Sequence, residues 1–312
     1  MRWTIKPKPD PSKVARLSKE LAVDSTTSFL LAQRGIETFE EAKNFFRPDL
    51  SDLHDPFLMK DMEKAVSRIE EAVENQENIL VYGDYDVDGT TSVALMSSYL
   101  LSFYPNVATY IPDRYEEGYG ISYKGIDFAE DNNFSLIIAL DCGIKAIDKV
   151  AYAFKKEVDF IICDYHRPGA EIPKAKAVLD PKQEDCDYPF KELCGCGIGF
   201  KLIQAVQKHL NFSQEALTIY LDLVATAIAA DIVPMEGENR TLTFLGLQQF
   251  QENPRIGLQF FLKTLKKPIK VTDLVFVIAP RINAAGRMDQ GLSAVELLMS
   301  DNLELALPKA RS

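Results

Sequence analysis

The sequence predicts an α/β fold in which a doubly wound, mainly parallel sheet is flanked by helices. Short apolar runs rich in β-branched residues alternate with segments whose apolar residues recur at helical spacing. Several of these runs end in Asp. Alternating strands and helices build parallel sheets, because two parallel strands need a crossover between them. We expect a helical N-terminal extension over residues 1–56, an α/β domain over 57–265 and the start of a connecting segment over 266–312.

The helical extension is predicted from two segments and one capping signal. Residues 11–34 are expected to form one helix that ends at Gly35. Residues 38–46 are expected to form a second helix, which opens with a capping box made by Thr38 and Glu41.

The elements of the sheet domain follow in chain order. A buried strand is a short apolar run bounded by turn residues, whereas a helix repeats its apolar residues every three to four positions. We expect strands at 79–82, 107–111, 136–140, 158–163, 177–180 and 271–278. We expect helices at 60–74, 122–130, 144–154, 200–210, 214–230, 240–251 and 255–266, and others that begin at 90 and at about 292.

The central stretch 79–101 places three carboxylates between a buried strand and a helix, namely Asp84, Asp86 and Asp88. Ligands bind at the carboxyl ends of strands in open α/β sheets. Carboxylates this close must be solvated, paired or neutralised by a cation, and the buried strand favours a cation. A solvated acidic turn is the alternative. A calcium loop of the EF-hand type is disfavoured, because Leu95 stands where its twelfth-position Glu belongs.

Further polar residues follow the later elements. Asp141 follows the third strand, Asp164 and His166 follow the fourth, and Asp231 ends a nearly apolar helix. Right-handed crossovers bring the carboxyl ends of parallel strands to one edge, so these side chains are expected to converge. Oxygen ligands with one imidazole suit Mn²⁺ or Mg²⁺, and two ions about 4 Å apart would activate water for attack on phosphorus. Each Asp alone is more often a cap or a turn residue, and Asp180 is interpreted as a turn residue.

Arginine and amide side chains are candidate phosphate ligands. Arg114 lies in the loop after the second strand, and Arg281, Asn283 and Arg287 form a small polar and cationic cluster in a predicted loop. Arginine binds phosphate by bidentate contacts. A surface loop with incidental arginines is the alternative. The glycine-rich segment 194–199 precedes a helix and is expected either to cradle an anion or to let the helix pack closely.

Composition limits the kind of partner. The 312 residues include 35 Lys and Arg against 46 Asp and Glu, a net charge of −11, which argues against a broad basic surface for nucleic acid. The five cysteines suit reduced thiols. The sequence shows neither a signal peptide nor an apolar run of membrane-spanning length, so we expect a soluble, cytoplasmic protein with no membrane partner.

The chain resembles the DHH phosphoesterase superfamily in four segments that follow the order of the family's motifs: GDYDVDG, LIIALDCG, ICDYHRPG and AIAADIVP. The resemblance extends over nearly the whole chain through LLAQRGIETFEEAKNFFRP, LHDPFLMKDMEKAV, IPDRYEEGYG and APRINAAGRM. Within the family it points to single-strand-specific DNA exonucleases. It implies a metal-dependent hydrolase that digests single-stranded DNA from the 5′ end in repair and recombination. Single-stranded-DNA-binding protein and a helicase are the implied partners.

The resemblance also implies roles for individual residues. His166, which follows Asp164 in the third motif, would contact the phosphate, and Arg114 and Arg281 fall in segments that hold the phosphates of the strand. Two Mn²⁺ or Mg²⁺ ions would be bound. The implied metal ligands are Asp86, Asp88, the bridging Asp141 and Asp231, with Asp84 close by.

The chain departs from the family pattern in two respects. Tyr165 stands where the third motif usually has a metal-ligating His. A phenol with its ordinary pKa of about 10 is a poor ligand at neutral pH, so weak binding of the second ion is expected. Family members also continue beyond the position of Ser312 into a DHH-associated domain, so the chain resembles the amino-terminal part of a longer protein. We therefore expect weak DNA binding.

The sequence leaves three other functions open. A DHH phosphodiesterase of short oligonucleotides or cyclic dinucleotides would share the same motifs. A non-catalytic replication scaffold is favoured by Tyr165 and disfavoured by the nearly complete set of Asp residues. A structural calcium protein is the third.

Overall fold

A parallel sheet of five strands lies at the centre of the computed structural model, which describes residues 4–263, 265, 268–288 and 291–302. The strand order is β2-β1-β3-β4-β5, and each pair of neighbours is parallel. The predicted α/β class with a doubly wound parallel sheet is confirmed. The strands are β1 Asn78–Gly83, β2 Val107–Tyr110, β3 Phe134–Leu140, β4 Asp159–Cys163 and β5 Ala177–Leu179.

Helices cover both faces of the sheet, which explains why the strands are almost continuously apolar. Side chains alternate between the faces. Tyr82, Ala139 and Ile162 pack with α6 and α7 on one face. Leu140 points to the other face, where α5 and α8 lie. The bounds of these four helices, and of α4 before them in the chain, are α4 Met62–Glu74, α5 Val87–Leu101, α6 Tyr123–Asp131, α7 Ile147–Lys155 and α8 Gly195–His209.

The carboxyl-terminal part of the described chain is helical. Its helices are α9 Leu221–Asp231, α10 Gly237–Glu252, α11 Ile256–Leu262, α12 Val271–Asp273, α13 Ala279–Met288 and α14 Gly291–Met299. The helix predicted over residues 214–230 is divided, because its first seven residues, Gln214–Tyr220, form a 3₁₀-helix. No helix among the described residues is both long and apolar enough to cross a membrane.

The strand predicted over residues 271–278 is wrong. This segment is α12 followed by a π-helical turn, Leu274–Ile278, which continues into α13. The apolar run is too short for its periodicity to distinguish a strand from a helix. The wide turn directly precedes Pro280, whose missing N–H cannot donate to a carbonyl in the preceding turn, so a π-helical turn forms there. The loop predicted after residue 278 is likewise helical.

Contacts within the chain define two compact units, residues 1–53 and residues 54–312. The first contains α1 Pro11–Leu21, α2 Ser25–Ala32 and α3 Phe39–Phe46 around a small core of Leu17, Leu31, Ile36 and Ala42.

The first predicted helix of this unit, over residues 11–34, is two helices. Ala22 adopts a left-handed conformation (φ 53°), and Asp24 starts a new helix by accepting bonds from the backbone N–H groups of Thr26 and Thr27. The capping box of Thr38 and Glu41 at the start of α3 is confirmed.

Candidate metal centre

Strand register brings four carboxylates into one row at the carboxyl edge of the sheet. Gly83 pairs with Leu140, Leu140 with Cys163, and Cys163 with Leu179. The residue after each of these positions is an Asp, so the carboxylates leave four adjacent strands at the same level. The row consists of Asp84, Asp141, Asp164 and Asp180, all almost fully buried.

Asp84, Asp86 and Asp141 form a cluster in which one carboxylate oxygen from each lies within 4.8 Å of the others. They follow β1 and β3, the neighbouring strands between which the chain reverses its direction across the sheet. Ligands of doubly wound sheets bind in the crevice at such a reversal. Asp141 adopts a left-handed conformation (φ 61°), which Asp tolerates better than most residues. The structure therefore gathers these three residues as the sequence predicted.

The cluster fits a divalent cation. Asp84 Oδ2 and Asp141 Oδ1 are buried and have no hydrogen-bond partner. Burial, followed by the charge of Asp86, raises the pKa of Asp84 to about 7. Burial and the neighbouring carboxylates also raise the pKa of Asp141 well above its usual range. Unpaired, mutually repelling carboxylate oxygens are what Mn²⁺ or Mg²⁺ would neutralise.

Asp88 binds the amino end of α8. Its two carboxylate oxygens accept the backbone N–H groups of Gly195 and Cys196 at 2.7 and 2.8 Å. The first N–H groups of a helix lack intrahelical partners, and a carboxylate there satisfies them. A side chain at Gly195 would put its Cβ 2.6 Å from Asp141 Cβ. The structure therefore supports the close-packing alternative for the glycine-rich segment, and the N–H groups at its start bind the carboxylate of Asp88.

Asp164 and His166 form a hydrogen-bonded pair. Asp164 Oδ1 lies 2.8 Å from His166 Nδ1 and also accepts the backbone N–H groups of Tyr165 and His166. Asp164 Oδ2 accepts the N–H of Ile144 at 2.9 Å. The hydrogen bond to Asp164 raises the pKa of His166. The ring is thus held with Nε2 free of Asp164 and 3.4 Å from the Tyr119 hydroxyl.

Burial, followed by the neighbouring Asp231 carboxylate, raises the pKa of the Tyr165 phenol. The Lys182 ammonium lies 5.1 Å from the centre of the Tyr165 ring. Burial also raises the pKa of Asp231. The phenol thus holds a proton against the carboxylate that was predicted as the last metal ligand.

A cleft of about 360 Å³ lies beside the cluster. Asp86, Asp88 and Asp231 line it on one side, and residues of the π-helical turn and α13 line it on the other. Asn283 reaches this cleft, so one member of the predicted polar cluster faces the carboxylates.

The other predicted phosphate ligands are distributed differently. Arg114 is exposed, and its guanidinium lies 5.1 Å from the Tyr85 ring centre, next to the loop of the cluster. Arg281 donates to the carbonyl of Val277 on its own helix and lies 5.9 Å from the Phe261 ring centre. The side chain of Arg287 lies outside the described residues. The loop predicted to carry this polar cluster is thus a helix. Of the two members of the cluster whose side chains are described, Asn283 lines the cleft and Arg281 does not.

Asp180 is the turn residue that the sequence predicted, and it also adds a carboxylate to the row that the sequence interpretation did not assign to the site. It is fully buried at the end of β5, accepts the N–H of Lys182 at 2.7 Å and leaves Oδ2 unpaired. Burial raises its pKa to about 7, and Asp164 and His166 are close enough to contribute. The signal was present in the sequence, because Asp180 follows an apolar run just as Asp84, Asp141 and Asp164 do.

Comparison with known proteins identifies the family. Residues 78–228 match the model described as "DHH family, N-terminal domain". The chain is 41% identical over 305 residues to the single-stranded-DNA-specific exonuclease RecJ of Bacillus subtilis, which covers 97% of this chain and 38% of that protein. It is 33% identical over 289 residues to RecJ of Escherichia coli, which covers 88% of this chain and 49% of that protein. The chain therefore spans less than half the length of these curated relatives.

Solved structures share the fold. Exonuclease RecJ bound to manganese superposes with a TM-score of 0.76 at 30% identity, over 84% of this chain and 66% of that chain. RecJ from Thermus thermophilus in complex with Mn²⁺ has a TM-score of 0.84 at 26% identity, over 98% of this chain and 44% of that chain. The family model matches residues 78–228, which contain all five strands of the sheet and the Asp residues that follow them, so this part of the chain is a DHH-family domain.

Proposed function

We propose that the chain is the catalytic part of a metal-dependent phosphodiesterase that digests single-stranded DNA as an exonuclease. One observation carries the proposal: Asp84 and Asp141 each bury a carboxylate oxygen without a partner, and both residues belong to the cluster with Asp86 at the reversal point of the sheet. The support for the substrate is the similarity to proteins named single-stranded-DNA-specific exonucleases.

The carboxylates would hold the metal. Asp84, Asp86 and Asp141 would bind Mn²⁺ or Mg²⁺, and Asp88 and Asp231 line the adjoining cleft, where a second ion would bind. The bound cation supplies Lewis-acid activation of water and neutralises charge on the phosphate. Asp88 also ties α8 to the cluster, so its hydrogen bonds fix the geometry of the site.

His166 would act on the phosphate. Asp164 orients its ring and favours the protonated form, so Nε2 is a donor for a phosphate oxygen or for the leaving oxygen. The Tyr119 hydroxyl, 3.4 Å from Nε2, would be a neighbour of the bound phosphate. Arg114, exposed beside Tyr85, and Asn283, in the cleft, are the proposed additional phosphate contacts. Arg281 would have to leave its own helix to take this role.

Digestion from the 5′ end, in repair and recombination, is the finer proposal that the motif resemblance supports. Its substrate would be single-stranded DNA at the bacterial chromosome, so the protein would act in the cytoplasm. A helicase would produce such a strand and single-stranded-DNA-binding protein would cover it, so these two are the proposed protein partners.

Digestion of a 5′-phosphorylated single strand in Mn²⁺ tests the proposal, with Asp141→Asn as the site variant. Asn keeps the shape of Asp141 and tolerates its left-handed backbone, so the variant removes the charge with little strain. Asp148→Asn, on the exposed side of α7, is the matched control. We expect mononucleotide release from the unchanged chain and the control, and a loss of more than about a hundredfold in Asp141→Asn.

A two- or three-nucleotide substrate belongs in the same assay, because its binding needs few contacts with DNA outside the metal centre. Activity on the short substrate alone would favour a short-oligonucleotide phosphodiesterase. A folded chain that binds Mn²⁺ but releases no nucleotide from either substrate would contradict the proposed function.

A further inference from the structure

Ile232 conflicts with its surroundings in two ways. It directly follows Asp231 and adopts a left-handed conformation with φ 57° and ψ 32°. Among the described non-glycine residues with positive φ, it is the β-branched one. Its side chain is also 80% exposed.

Neither the left-handed backbone conformation of Ile232 nor the exposure of its side chain stabilises the fold. A β-branched residue is disfavoured in the left-handed region because Cβ and its substituents crowd the backbone. Burial of an Ile side chain would offset that cost, but this side chain remains in solvent. Gly or Asn would hold the same backbone conformation with less strain. A local conflict of this kind beside a functional site is typical of a residue that serves the site.

The position of Ile232 shows what it can contact. It lines the cleft that also contains Asp86, Asp88 and Asp231. Val275, Ala279 and Pro280 line the same cleft, so with Ile232 they form an apolar wall facing the carboxylates. A ligand in this cleft would have an anionic part near the metal centre and an apolar part against this wall.

We propose that Ile232 is a specificity residue that packs against the nucleobase of the nucleotide next to the scissile phosphate. The inference rests on the proposed function, because a nucleotide is the ligand that combines a phosphate with an apolar base face. Base stacking on protein side chains tolerates every base, since each base has an apolar face. Ile232 would therefore favour a nucleotide that has a base over an abasic one, without selecting its identity.

The test compares two 5′-phosphorylated strands that differ at one nucleotide, which carries either a base or an abasic tetrahydrofuran unit. For the unchanged chain we expect kcat/KM to be about tenfold higher with the base present. Ile232→Gly should lose this preference through slower digestion of the base-bearing strand alone, while its melting temperature stays equal or rises. Ile232→Leu, which keeps an apolar side chain of the same size, should keep the preference.

Equilibrium binding of the same two strands, with Ca²⁺ in place of Mn²⁺, measures the contact between Ile232 and the base without hydrolysis. A base-dependent affinity that Ile232→Gly abolishes would support the inference even if hydrolysis failed, so the failure of the proposed function would remain distinguishable. The inference is overturned if Ile232→Gly weakens the binding of both strands equally, if it keeps the preference for the base-bearing strand, or if it lowers the melting temperature. It is equally overturned if the unchanged chain binds both strands alike.

Discussion

At the scale of single residues, the Asp164–His166 pair shows how a carboxylate can serve the site without binding metal. Both oxygens of Asp164 are already acceptors: Oδ1 takes the N–H groups of Tyr165 and His166, and Oδ2 takes that of Ile144. The charge of Asp164 therefore acts mainly through the ring of His166. Replacing Asp164 with Asn removes the charge that acts on His166. The amide oxygen can still accept the bonds made at Oδ1, whereas the amide nitrogen cannot accept the N–H of Ile144.

We predict that Asp164→Asn lowers the pKa of His166 and reduces kcat by about a hundredfold or more. The pKa of His166 is raised in the folded protein. The pair therefore stabilises the fold at pH below the ordinary pKa of His, and this contribution is lost as pH rises through the raised value. The chain has three His residues, so their ring protons can be titrated individually by NMR. An unchanged His166 titration curve would contradict the assigned role of Asp164.

Tyr165 leads to a second prediction at this scale. Its phenol lies near the Asp231 carboxylate and keeps its proton, so a protonated hydroxyl stands where a second ion would need a ligand. We predict that Tyr165→His lowers the Mn²⁺ concentration needed for half-maximal activity and raises the rate, because imidazole is a ligand at neutral pH and a phenol is not. Tyr165→Phe is the control, since it frees Asp231 without adding a ligand. Equal Mn²⁺ titrations for Tyr165→His and the unchanged chain would refute this prediction.

At the scale of elements, the amino end of α8 determines the geometry of the metal centre. Asp88 on α5 accepts the first N–H groups of α8, and Gly195 allows the helix to approach Asp141. Further along α8, Lys201 forms a buried ion pair with Glu238 of α10 at 2.7 Å. Tyr188 donates to the same Glu238, so α8 is fixed relative to α10. A small change at the first turn of α8 should thus reach the metal ligands.

We predict that Gly195→Ala weakens Mn²⁺ binding and destabilises the fold by about 1–3 kcal/mol, the usual cost of overpacking. The new Cβ would lie 2.6 Å from Asp141 Cβ and 2.8 Å from its Cα, which is backbone and cannot rotate away.

Gly197→Ala, two residues later on the same helix, is the matched control. Its Cβ would lie 3.3 Å from the end of the flexible Leu193 side chain, and Ala favours a helix over Gly by about 1 kcal/mol. Mn²⁺ titration calorimetry and thermal unfolding would measure both variants. Equal behaviour of the two alanine variants would show that contact with Asp141 is unimportant.

At the scale of the whole molecule, the row of buried carboxylates makes stability depend on pH and on metal. Burial raises the pKa of Asp84 to about 7 and raises those of Asp88 and Asp141. A carboxyl group with a raised pKa holds its proton more tightly in the folded state. The free energy of unfolding therefore falls as the pH rises from the pKa of the unfolded state through the pKa of the folded state. For Asp84 this loss is on the order of 4 kcal/mol.

We predict that the melting temperature of the metal-free protein falls between about pH 5 and about pH 8, and that Mn²⁺ raises it more at the higher pH. The cation replaces the protons that the carboxylates lose. Thermal unfolding with and without Mn²⁺ at both pH values measures the effect, and Asp141→Asn should reduce both the pH dependence and the response to Mn²⁺. A melting temperature that rises with pH in the absence of metal would contradict the prediction.

Much of the fold and part of the site could be predicted because the signals were local. The capping box of α3 and the apolar runs of the central strands appear within a few residues, and Asp84, Asp86 and Asp141 follow such runs. The errors occurred where local signals are ambiguous. The apolar segment over residues 271–278 has no periodicity that separates a strand from a helix. Asp180 does form the predicted turn, but its place in the row of buried carboxylates depends on strand register and was not predicted.

Short-range patterns in the sequence were enough to predict the alternation of strands and helices and the carboxylates at strand ends. The folded chain alone shows that register aligns those carboxylates in one row, that Asp88 binds the amino end of α8 and that Tyr165 lies near Asp231. It also decided the strained, exposed conformation of Ile232. These features join residues up to about a hundred positions apart. They depend on how packed elements meet, which no window of the sequence contains.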